Sequence, residues 1–562
     1  MTRLAVIGLL TLSSALAQPI TMASSADGAI FEFTGPWALR GEPLALNENR
    51  LFRYNSEAPS VLREGNADRF LAYSLISSDG KTTATYSYIP CPGVCSLPRP
   101  SHEIEVSRDG KVTRLTGNLF RMSRNGRFLF DTGFPNFSAG PVLRDLDTGA
   151  TQSFPRVLTR NLRHSIADNG TMLTTEAGIF AGIGDPSEYR QVLLTPFGKP
   201  TELLYETTDS KIAGAAIAAD GQTAFVLTAI TTGNRFFRTF YKLISLDLRT
   251  RQQKILLDSY QGIQAFTINT PGSQLLLQTV NSLLIWDQNT GWRNLLSHDE
   301  GFLESQLTDD GSTAFAITSK NRFYRLDVNS SQATQLYAPM TRYVSQQSQG
   351  STPGSLIRFG VDAAGAGNQV RVGEMTFPFV KAESQLLDVQ IPWEFSKAPS
   401  GATIAEISSE SSPFLLRTRL NIAEQIQPWT FTKAFSLAGV TSPFLIAANQ
   451  DFSALLPDVA AEAGSVIHFW VTGLGELDRQ LATGAPGPVD PLARPLEKLS
   501  CYFEEGDTKL EVPDIIYAPN LVGIYQVDVK IPADWPAGLW RLSCKASIGQ
   551  PTGGYIPVSA RR

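Results

Sequence analysis

A residue pair that ends in glycine recurs every forty to fifty residues through the first 340 residues of the chain. Asn-Gly and Asp-Gly favour the left-handed backbone that two-residue hairpin turns need. Short apolar or β-branched runs flank these pairs, as at 224–227 and 314–317, so each pair predicts a β-hairpin. The pairs are Asp79-Gly80, Asn125-Gly126, Asn169-Gly170, Asp220-Gly221, Pro271-Gly272 and Asp310-Gly311.

A second hairpin follows each of these turns. Its common form is apolar-x-apolar-Asp, then a turn, then another strand, as in 143–149, 243–257, 283–287 and 323–337. Four strands in each forty to fifty residues are typical of a β-propeller blade. Residues 28–64 contain a similar outer-hairpin segment at 51–55, which makes seven blades. Six or eight blades are the alternatives.

The repeat resembles the WD40-like and TolB-type propellers of exported bacterial proteins over residues 66–340. The Asp-Gly hairpin and the Leu-x-x-x-Asp-Leu-x-Thr-Gly element carry this resemblance. The glycine-histidine and tryptophan-aspartate marks of true WD40 repeats are mostly absent, and Trp286-Asp287 is the main exception. The resemblance implies a propeller scaffold outside the cytoplasm.

The N-terminus has the features of a signal peptide. Arg3 is followed by a short apolar run, 4–12, and by Ala15-Leu16-Ala17, a small-x-small cleavage site. We therefore predict export to the periplasm or the extracellular space. No later apolar run reaches eighteen residues, so we expect no integral membrane segment after cleavage. The net charge of −5 without a basic block argues against nucleic acid as a partner.

The chain has four cysteines, which allow three pairings. Export permits disulfides. Cys91 and Cys95 flank a tight Pro-Gly loop, and Cys501 and Cys544 lie in one C-terminal module. We predict the pairs Cys91–Cys95 and Cys501–Cys544. A metal site is the alternative for the first pair, but no histidine or second cysteine pair lies near it in sequence.

The pattern changes after residue 340. Residues 345–353 are polar and predict a linker, and an internal duplication follows. Its first copy contains 353–359, 387–392 and 399–402, and its second contains 463–469, 525–532 and 535–538. Short alternating strands bounded by Pro and Gly are typical of β-sandwiches. The pair resembles a C-terminal module of large exported proteins of soil acidobacteria (Solibacter type), over about 351–562.

The predicted organisation is all-β: a signal peptide over 1–17, a propeller over 18–344, and immunoglobulin-like β-sandwich modules over 351–436 and 437–562. In the duplicated strands 389–392 and 529–532 we expect Val and Ile to be buried. Asp388 and Asp528 should face outward. Pro392 and Pro532 should end the strands, since proline cannot donate to a central ladder.

No motif in the sequence predicts catalysis. There is no Gly-x-Ser-x-Gly nucleophile motif, and the four histidines have no metal-ligand spacing. Three of these histidines, His102, His164 and His298, could converge on one propeller face, whereas His468 is predicted to be a strand-face residue. Asp-rich turns such as 308–311 could hold Ca²⁺, but Asx side chains that cap their own turn explain them better. No cofactor is predicted.

Loop aromatic and arginine residues are the candidate binding residues. Arg235, Phe236, Phe237 and Arg238 lengthen one hairpin loop, and Trp292 follows a later turn. Aromatic rings can stack on sugars, and arginine can pair with carboxylates. The leading hypothesis is a non-catalytic scaffold that binds an extracytoplasmic protein, peptide or glycan. The alternatives are a propeller enzyme of lactonase or glycan-lyase type, with its site at the central channel, and a purely structural envelope or adhesion component.

Overall fold

The computed structural model covers the chain and describes most of it in detail. The residues described are 22–35, 38–39, 50–54, 59–64, 70–88, 102–116, 120–131, 141–154, 166–177, 189–232, 238–337, 344–346, 352–361, 368–383, 386–397, 401–409, 412–422, 428–437, 440–505, 508–547 and 550–561. The predicted signal peptide lies outside these residues.

The described residues are almost entirely β-strands and turns, as the all-β prediction requires. Trp393–Lys397 forms a 3₁₀ helix. The strands are β1 Met22–Ser24, β2 Phe31–Gly35, β3 Ala38–Leu39, β4 Arg50–Tyr54, β5 Pro59–Glu64, β6 Phe70–Ile76, β7 Thr82–Tyr88, β8 His102–Arg108, β9 Lys111–Thr116, β10 Phe120–Met122, β11 Phe128–Asp131, β12 Val142–Asp145, β13 Thr151–Ser153, β14 Met172–Ala177, β15 Tyr189–Thr195, β16 Glu202–Glu206, β17 Lys211–Ile217, β18 Thr223–Thr232, β19 Arg238–Asp247, β20 Gln253–Gln261, β21 Ile263–Ile268, β22 Gln274–Thr279, β23 Ser282–Asp287, β24 Gly291–Ser297, β25 Phe302–Leu307, β26 Thr313–Thr318, β27 Phe323–Asp327, β28 Ala333–Tyr337, β29 Val344–Gln346, β30 Leu356–Val361, β31 Asn368–Val372, β32 Met375–Phe377, β33 Phe379–Glu383, β34 Leu386–Gln390, β35 Gly401–Ser409, β36 Phe414–Ile422, β37 Trp429–Thr430, β38 Thr432–Leu437, β39 Val440–Leu445, β40 Ala447–Asn449, β41 Ala461–Glu462, β42 Val466–Thr472, β43 Ser500–Phe503, β44 Thr508–Lys509, β45 Glu511–Tyr517, β46 Tyr525–Lys530, β47 Gly538–Lys545 and β48 Thr552–Ser559.

Within the described ranges, no helix has the length and apolar character that a membrane crossing requires.

The chain divides into two compact units. The first consists of Met1–Arg40, Asn47–Arg342 and Ser411–Pro413, and the second of Gly41–Leu46, Tyr343–Glu410 and Phe414–Arg562. Each is described by itself below.

In its described residues, the first unit contains seven antiparallel sheets. Each is built from strands that follow one another in the chain, except that sheet 1 skips β3. We number them sheets 1 to 7 in chain order. They are β1-β2-β4-β5, β6-β7-β8-β9, β10-β11-β12-β13, β14-β15-β16, β17-β18-β19-β20, β21-β22-β23-β24 and β25-β26-β27-β28. The predicted paired hairpins and the additional N-terminal repeat each correspond to one of these sheets.

The predicted Asx-Gly and Pro-Gly pairs lie in the turn between the first and second strands of sheets 2, 3, 5, 6 and 7, and in the turn that precedes β14 in sheet 4. Asp27-Gly28 is a seventh such pair, in sheet 1, that the sequence prediction missed. The glycines of all seven pairs have φ between +68° and +80°. In sheet 2 the N–H of Ser77 donates to the Thr82 carbonyl at 2.8 Å, so the loop has four residues, 78–81.

The expectation of two-residue turns was therefore wrong. Two-residue type I′ turns need two left-handed residues, but here only the glycine of each pair is left-handed. The Asx side chain instead accepts a hydrogen bond from the backbone N–H two residues later. The Asp79 carboxylate accepts from Lys81 at 3.0 Å, and the Asn125 amide oxygen accepts from Arg127 at 3.0 Å. The longer loop satisfies its own backbone in this way.

Each sheet of the first unit packs against its neighbours in sequence. Apolar clusters join sheets 2 and 3, 3 and 4, 4 and 5, 5 and 6, and 6 and 7. Sheet 7 also packs against sheet 1, where Phe31 and Phe315 stack with ring centroids 4.2 Å apart. Between sheets 1 and 2, the Ser74 hydroxyl donates to the buried Glu32 carboxylate at 3.0 Å. Packing thus returns from the last sheet to the first.

The second unit contains two pairs of sheets, and each pair encloses its own apolar core. In the first module, β29-β30-β34-β33 and β36-β35-β31-β32 share a core that includes Phe359, Val389 and Ile407. In the second module, the sheet β37-β42-β46-β45 shares a core with the sheet β38-β39-β48-β47-β43-β44. Strand β40 pairs with β42, and β41 pairs with β48.

Two segment boundaries differ from the sequence prediction. Residues 344–346, which overlap the predicted linker and the predicted end of the propeller, form β29 and pair with β30. Strands β37 and β38 pair with strands of the second module, although the sequence prediction ended the first module at residue 436. Polar edge strands such as β29 have no apolar periodicity, so only their pairing reveals them.

The duplicated strands are β34 and β46, and their apolar residues are buried as predicted. Val389 and Val529 are fully buried. The strands end at Gln390 and Lys530, just before the predicted proline stops. Asp388 and Asp528 face away from the core but are not open to solvent, because Arg358 and His468 on the neighbouring strands pair with them.

Cys501 in β43 and Cys544 in β47 are directly opposed and form a disulfide, with Sγ atoms 2.10 Å apart. Both cysteines are fully buried in the second module's core. Cys91 and Cys95 lie outside the described residues, so the other predicted pair stays a prediction.

Replacing both Cys501 and Cys544 with alanine should destabilise the second unit. The bridge joins residues 43 positions apart, and loop-entropy arithmetic for that separation gives about 4 kcal/mol. Calorimetry should show the second unit's transition at lower temperature and the first unit's transition unchanged. The matched control is Cys91→Ala with Cys95→Ala, which should leave the second unit's transition in place. An unshifted transition in the first double variant would contradict the assignment.

Candidate functional site

The glycine turns of the seven sheets are joined in a closed circle of hydrogen bonds, which we call the turn ring. Each link involves the residue before the Asx or Pro of a turn, or the Asx itself. The backbone links are Ala26 N to Ser78 O, Ser78 N to Arg124 O, Asp168 N to Ala219 O, Ala219 N to Thr270 O, Thr270 N to Asp309 O and Asp310 N to Ala26 O, at 2.7–3.0 Å. Asn125 N donates to the Asp168 carboxylate at 2.9 Å and completes the circle.

Arg124 crosses the turn ring from sheet 3 to sheets 6 and 7. Its Nε lies 3.0 Å from the Asp309 carboxylate, and a terminal nitrogen donates to the Ile268 carbonyl at 2.8 Å. The Ser78 hydroxyl donates to the other oxygen of Asp309. The Arg124 side chain is buried. A charged group from one sheet is thus held by carbonyl and carboxylate oxygens of two distant sheets.

Burial perturbs the ionisation of the groups in this cluster. It raises the pKa of Asp309 and of Asp168, and the Arg124 guanidinium opposes both shifts. Burial also lowers the pKa of Arg124, which its carboxylate neighbours oppose. Arg124 thus pairs directly with Asp309 and acts on Asp168 through its charge, which leaves one carboxyl of the three groups without a direct ion-pair partner among them.

At the end of the sheets opposite the turn ring, several strands are irregular. The first strands of sheets 2, 5, 6 and 7 each carry a register shift near their start. β-bulges of this kind re-aim a side chain and are common at rims and beside functional sites. The extra residues in sheets 5, 6 and 7 are Ala213, Gln264 and Leu303, and all three are exposed. We call these three residues the bulged rim.

Gln278 holds the rim residues of sheets 6 and 7 together. Its amide nitrogen donates to the Gln264 side-chain oxygen at 2.9 Å and to the Phe302 carbonyl at 3.2 Å. Its amide oxygen accepts from the Ser305 hydroxyl at 2.9 Å. Gln278 is itself buried. The bulged rim therefore presents a polar and an apolar side chain on a cross-linked backbone.

A second polar network lies where sheet 6 connects to sheet 7. The backbone N–H of Glu300 donates to Nδ1 of His298 at 3.3 Å, so a neutral ring carries its proton on Nε2. Nε2 lies 3.1 Å from the Tyr324 hydroxyl, which donates to Gln335 at 3.3 Å. Burial raises the pKa of Tyr324. The Glu300 carboxylate accepts from the Thr318 hydroxyl at 2.8 Å and from Arg322 at 3.0 Å, so the network ties this connection to β26 and to the turn before β27.

No metal-binding group is present in the described part of the chain: no three His, Cys, Asp or Glu side chains converge there. The Asp-rich turns use their carboxylates internally. Asp310 accepts from the backbone N–H of Ser312 at 2.9 Å, and Asp309 pairs with Arg124. This is the turn-capping interpretation that the sequence favoured over calcium.

The predicted binding residues lie apart from the bulged rim or outside the described residues. Trp292 lies in β24, the last strand of sheet 6, and its indole N–H donates to the Leu256 carbonyl of sheet 5 at 2.8 Å. Arg235, Phe236 and Phe237 lie outside the described residues, as does His164. The side chains of Arg238 and His102, which begin strands β19 and β8, also lie outside that description. A binding role for these residues stays a prediction.

His468 lies on the outer face of its sheet, as predicted for a strand-face residue. Its Nδ1 is 2.7 Å from the Asp528 carboxylate, and Phe452 stacks on the ring with centroids 4.5 Å apart. The pair is equivalent to Arg358 and Asp388 of the first module.

Sequence reasoning missed the turn-ring cluster, although the repeat contains a signal for it. When the seven turns are aligned on their glycine, the position two residues before it holds a charged residue in three cases. The residues at that position are Ala26, Ser78, Arg124, Asp168, Ala219, Thr270 and Asp309. One arginine and two aspartates at equivalent positions of neighbouring turns predict an ion cluster, because such turns meet at one end of a propeller. The bulges leave no comparable mark in the sequence.

Comparisons with known proteins give only distant similarities. No family model and no curated protein matches the chain. Among solved structures, the β-propeller domain of the trilobed protease of Pyrococcus furiosus is 14% identical, with a TM-score of 0.41, over 57% of this chain and 95% of that one. An oligogalacturonate lyase of Vibrio parahaemolyticus is 11% identical, with a TM-score of 0.38, over 54% and 88%. Hydrazine synthase of Kuenenia stuttgartiensis is 11% identical, with a TM-score of 0.36, over 59% and 99%. Likenesses at this level assign no function.

Replacing Arg124 with methionine should strongly destabilise the first unit. The change leaves the Asp309 carboxylate buried without its partner, and breaking a buried ion pair costs about 3–5 kcal/mol. Urea unfolding measures the effect. Arg251→Met is the matched control, because the Arg251–Glu202 pair is exposed and should contribute little. Equal effects of the two substitutions would show that Arg124 does not hold the ring.

Asp168→Asn should change the pH dependence of stability. Burial raises the pKa of Asp168 above 3.8, so near that pH this carboxyl takes up a proton on folding. The native state therefore loses stability as the pH rises from 3.8 through the raised pKa. Relative to wild type, the variant should therefore become more stable as pH rises from about 3.8 to neutrality.

Asp247→Asn is the control of opposite sign. Backbone hydrogen bonds, chiefly from Thr250, lower the pKa of Asp247, so wild type should gain stability over this variant as pH rises toward 3.8. Urea unfolding between acid and neutral pH measures both slopes. Parallel slopes for the two variants would contradict the assignment of Asp168.

Proposed function

We propose that this chain is an exported binding protein without catalytic activity of its own. It would recognise a protein, peptide or glycan outside the cytoplasm through the bulged rim of its first unit. The observation that carries this proposal is the difference between the two ends of that unit. The turn ring is closed by Arg124 and its partners, whereas the opposite end presents Gln264 and Leu303 on a backbone fixed by Gln278.

The first unit is proposed to be a seven-bladed β-propeller over about residues 18–344. Seven successive sheets support this count, and so does the return of both packing and hydrogen bonding from sheet 7 to sheet 1. The two modules of the second unit are proposed to be immunoglobulin-like sandwiches, because each encloses its core between two sheets. The disulfide between Cys501 and Cys544 is compatible with export.

Catalysis of the lactonase or glycan-lyase type is the alternative. Such an enzyme needs carboxylate, histidine or arginine groups from several blades at one site, with a nucleophile, base or metal among them. Arg124, Asp168 and Asp309 come from three sheets, but Arg124 is buried and held by Asp309 at 3.0 Å inside the turn ring. The groups described at the rim end are amides, hydroxyls and the His298, Glu300 and Arg322 side chains. Their hydrogen bonds within the fold support recognition over proton transfer.

The test is a glycan-array and pull-down screen with the secreted chain, repeated with two variants. Leu303→Arg places a charge on the bulged rim and should lower capture by at least about tenfold, because a charge in the centre of an interface is poorly tolerated. Ile255→Arg is the matched control: Ile255 is likewise an exposed aliphatic residue but lies in β20, the last strand of sheet 5. The Ile255→Arg variant should capture the same ligand as well as wild type does.

Equal capture by wild type and Leu303→Arg would place the ligand elsewhere. A hydrolase or lyase activity that Leu303→Arg abolishes would favour the enzymatic alternative.

A further inference from the structure

One turn occurs in both modules of the second unit with the same backbone hydrogen bonds. In the first module, Gly354 N donates to the Ile391 carbonyl at 2.8 Å, and Ile391 N donates to the Ser355 carbonyl at 2.9 Å. In the second module, Gly464 N donates to Ile531 O at 3.1 Å, and Ile531 N donates to Ser465 O at 2.9 Å. Both glycines are left-handed, with φ of +79° and +89°. Position 354 is therefore equivalent to 464, and 391 to 531.

In the first module a tryptophan covers this turn. Trp393 lies two residues after Ile391, and its ring lies so close to Gly354 that a Cβ there would be 1.9 Å from it. Residues of the second module also contact Trp393. The centroid of its ring lies 6.1 Å from that of Tyr517, and its backbone N–H donates to the Thr483 hydroxyl at 3.0 Å. An aromatic ring between two polypeptide surfaces thus fills the site.

In the second module the equivalent of Trp393 is Ala533. A Cβ on Gly464 would lie 3.5 Å from Ala533 and 3.9 Å from Cδ of Arg561, both ordinary van der Waals distances. The space that the indole would occupy is part of an open cleft of about 710 Å³, with Gly464, Ile531, Pro532 and Ala533 among its lining. A flat ring bound here would lie over Gly464 and Ala533, beside the side chain of Arg561.

The sides of this cleft carry more positive than negative charge. Lys509, Lys530 and Arg561 line it, together with Glu462 and Glu511. Lys530 pairs with Glu511 at 3.2 Å. Within the described residues Lys509 and Arg561 make no ion pair, so both are available to an anionic ligand. A floor that includes Gly464, Pro532 and Ala533 beside two available cations favours an aromatic group with acidic neighbours.

We propose that this cleft, lined by Gly464, Ala533, Lys509 and Arg561, binds an aromatic side chain from an acidic segment of a partner protein. The aromatic ring takes the place that Trp393 fills in the first module, and the acidic residues beside it pair with Lys509 and Arg561. A polypeptide is the favoured occupant because the equivalent ring in the first module belongs to, and is packed by, polypeptide. The proposal does not depend on the bulged rim.

The experiment measures binding of a fluorescent acidic peptide, Asp-Glu-Trp-Glu-Asp, to the full secreted chain by anisotropy. Ala533→Trp places a tryptophan ring of this chain in the cleft, as Trp393 does in the first module. It should therefore weaken peptide binding by at least about tenfold. Val489→Trp is the matched control, since Val489 is exposed and does not line the cleft, and should bind as wild type does. A peptide with alanine in place of its tryptophan should also bind at least about tenfold more weakly.

A second variant keeps the test valid if Ala533→Trp fails to fold. Lys509→Glu with Arg561→Glu changes only the sides of the cleft and should also weaken binding. The proposal is overturned if no peptide binds to wild type, or if Ala533→Trp folds and binds as well as wild type. It is also overturned if wild type sediments as a dimer that Ala533→Trp dissociates, because the occupant would then be a second copy of this chain.

Discussion

Closure of the turn ring is the constraint on which the first unit depends. A sheet in this unit has two apolar faces, and only a closed arrangement gives the first and last sheets a neighbour on both sides. Within the described residues, sheets 1 and 7 share no strand, so strand exchange does not fasten sheet 7 to sheet 1. Stacking of Phe31 on Phe315 and the hydrogen bond from Asp310 to Ala26 make that connection instead.

The charged centre of the ring adds specificity to this closure. Hydrophobic packing between sheets is tolerant of small shifts, whereas Arg124 can satisfy its donors only when sheets 3, 6 and 7 are correctly placed. The cost is the desolvation of Arg124, Asp168 and Asp309, seen in their displaced pKa values. We therefore propose that recognition uses the opposite end, where bulges expose side chains on a fixed backbone.

The two modules of the second unit keep one backbone plan and change its chemistry. The turn at Gly354 and the turn at Gly464 have the same hydrogen bonds, yet Trp393 covers the first and Ala533 leaves the second open. The cross-strand pair Arg358–Asp388 likewise becomes His468–Asp528. Duplication preserves what the fold needs, and the side chains that the backbone does not require are free to diverge.

The sequence by itself determined most strands, six of the seven glycine turns and the duplication, and it predicted the pairing of Cys501 with Cys544. The strands and turns depend on local physics, since period-two alternation, left-handed glycine and Asx capping act over a few residues. The cysteine pairing was predicted because both residues lie in one module. Only the tertiary structure decided the charged cluster, the bulged rim and the open cleft. The Ser78–Asp309 contact joins residues 231 apart, and the cleft results from a ring that is missing at Ala533. Such features depend on which distant surfaces meet, and no local pattern in a single sequence records that.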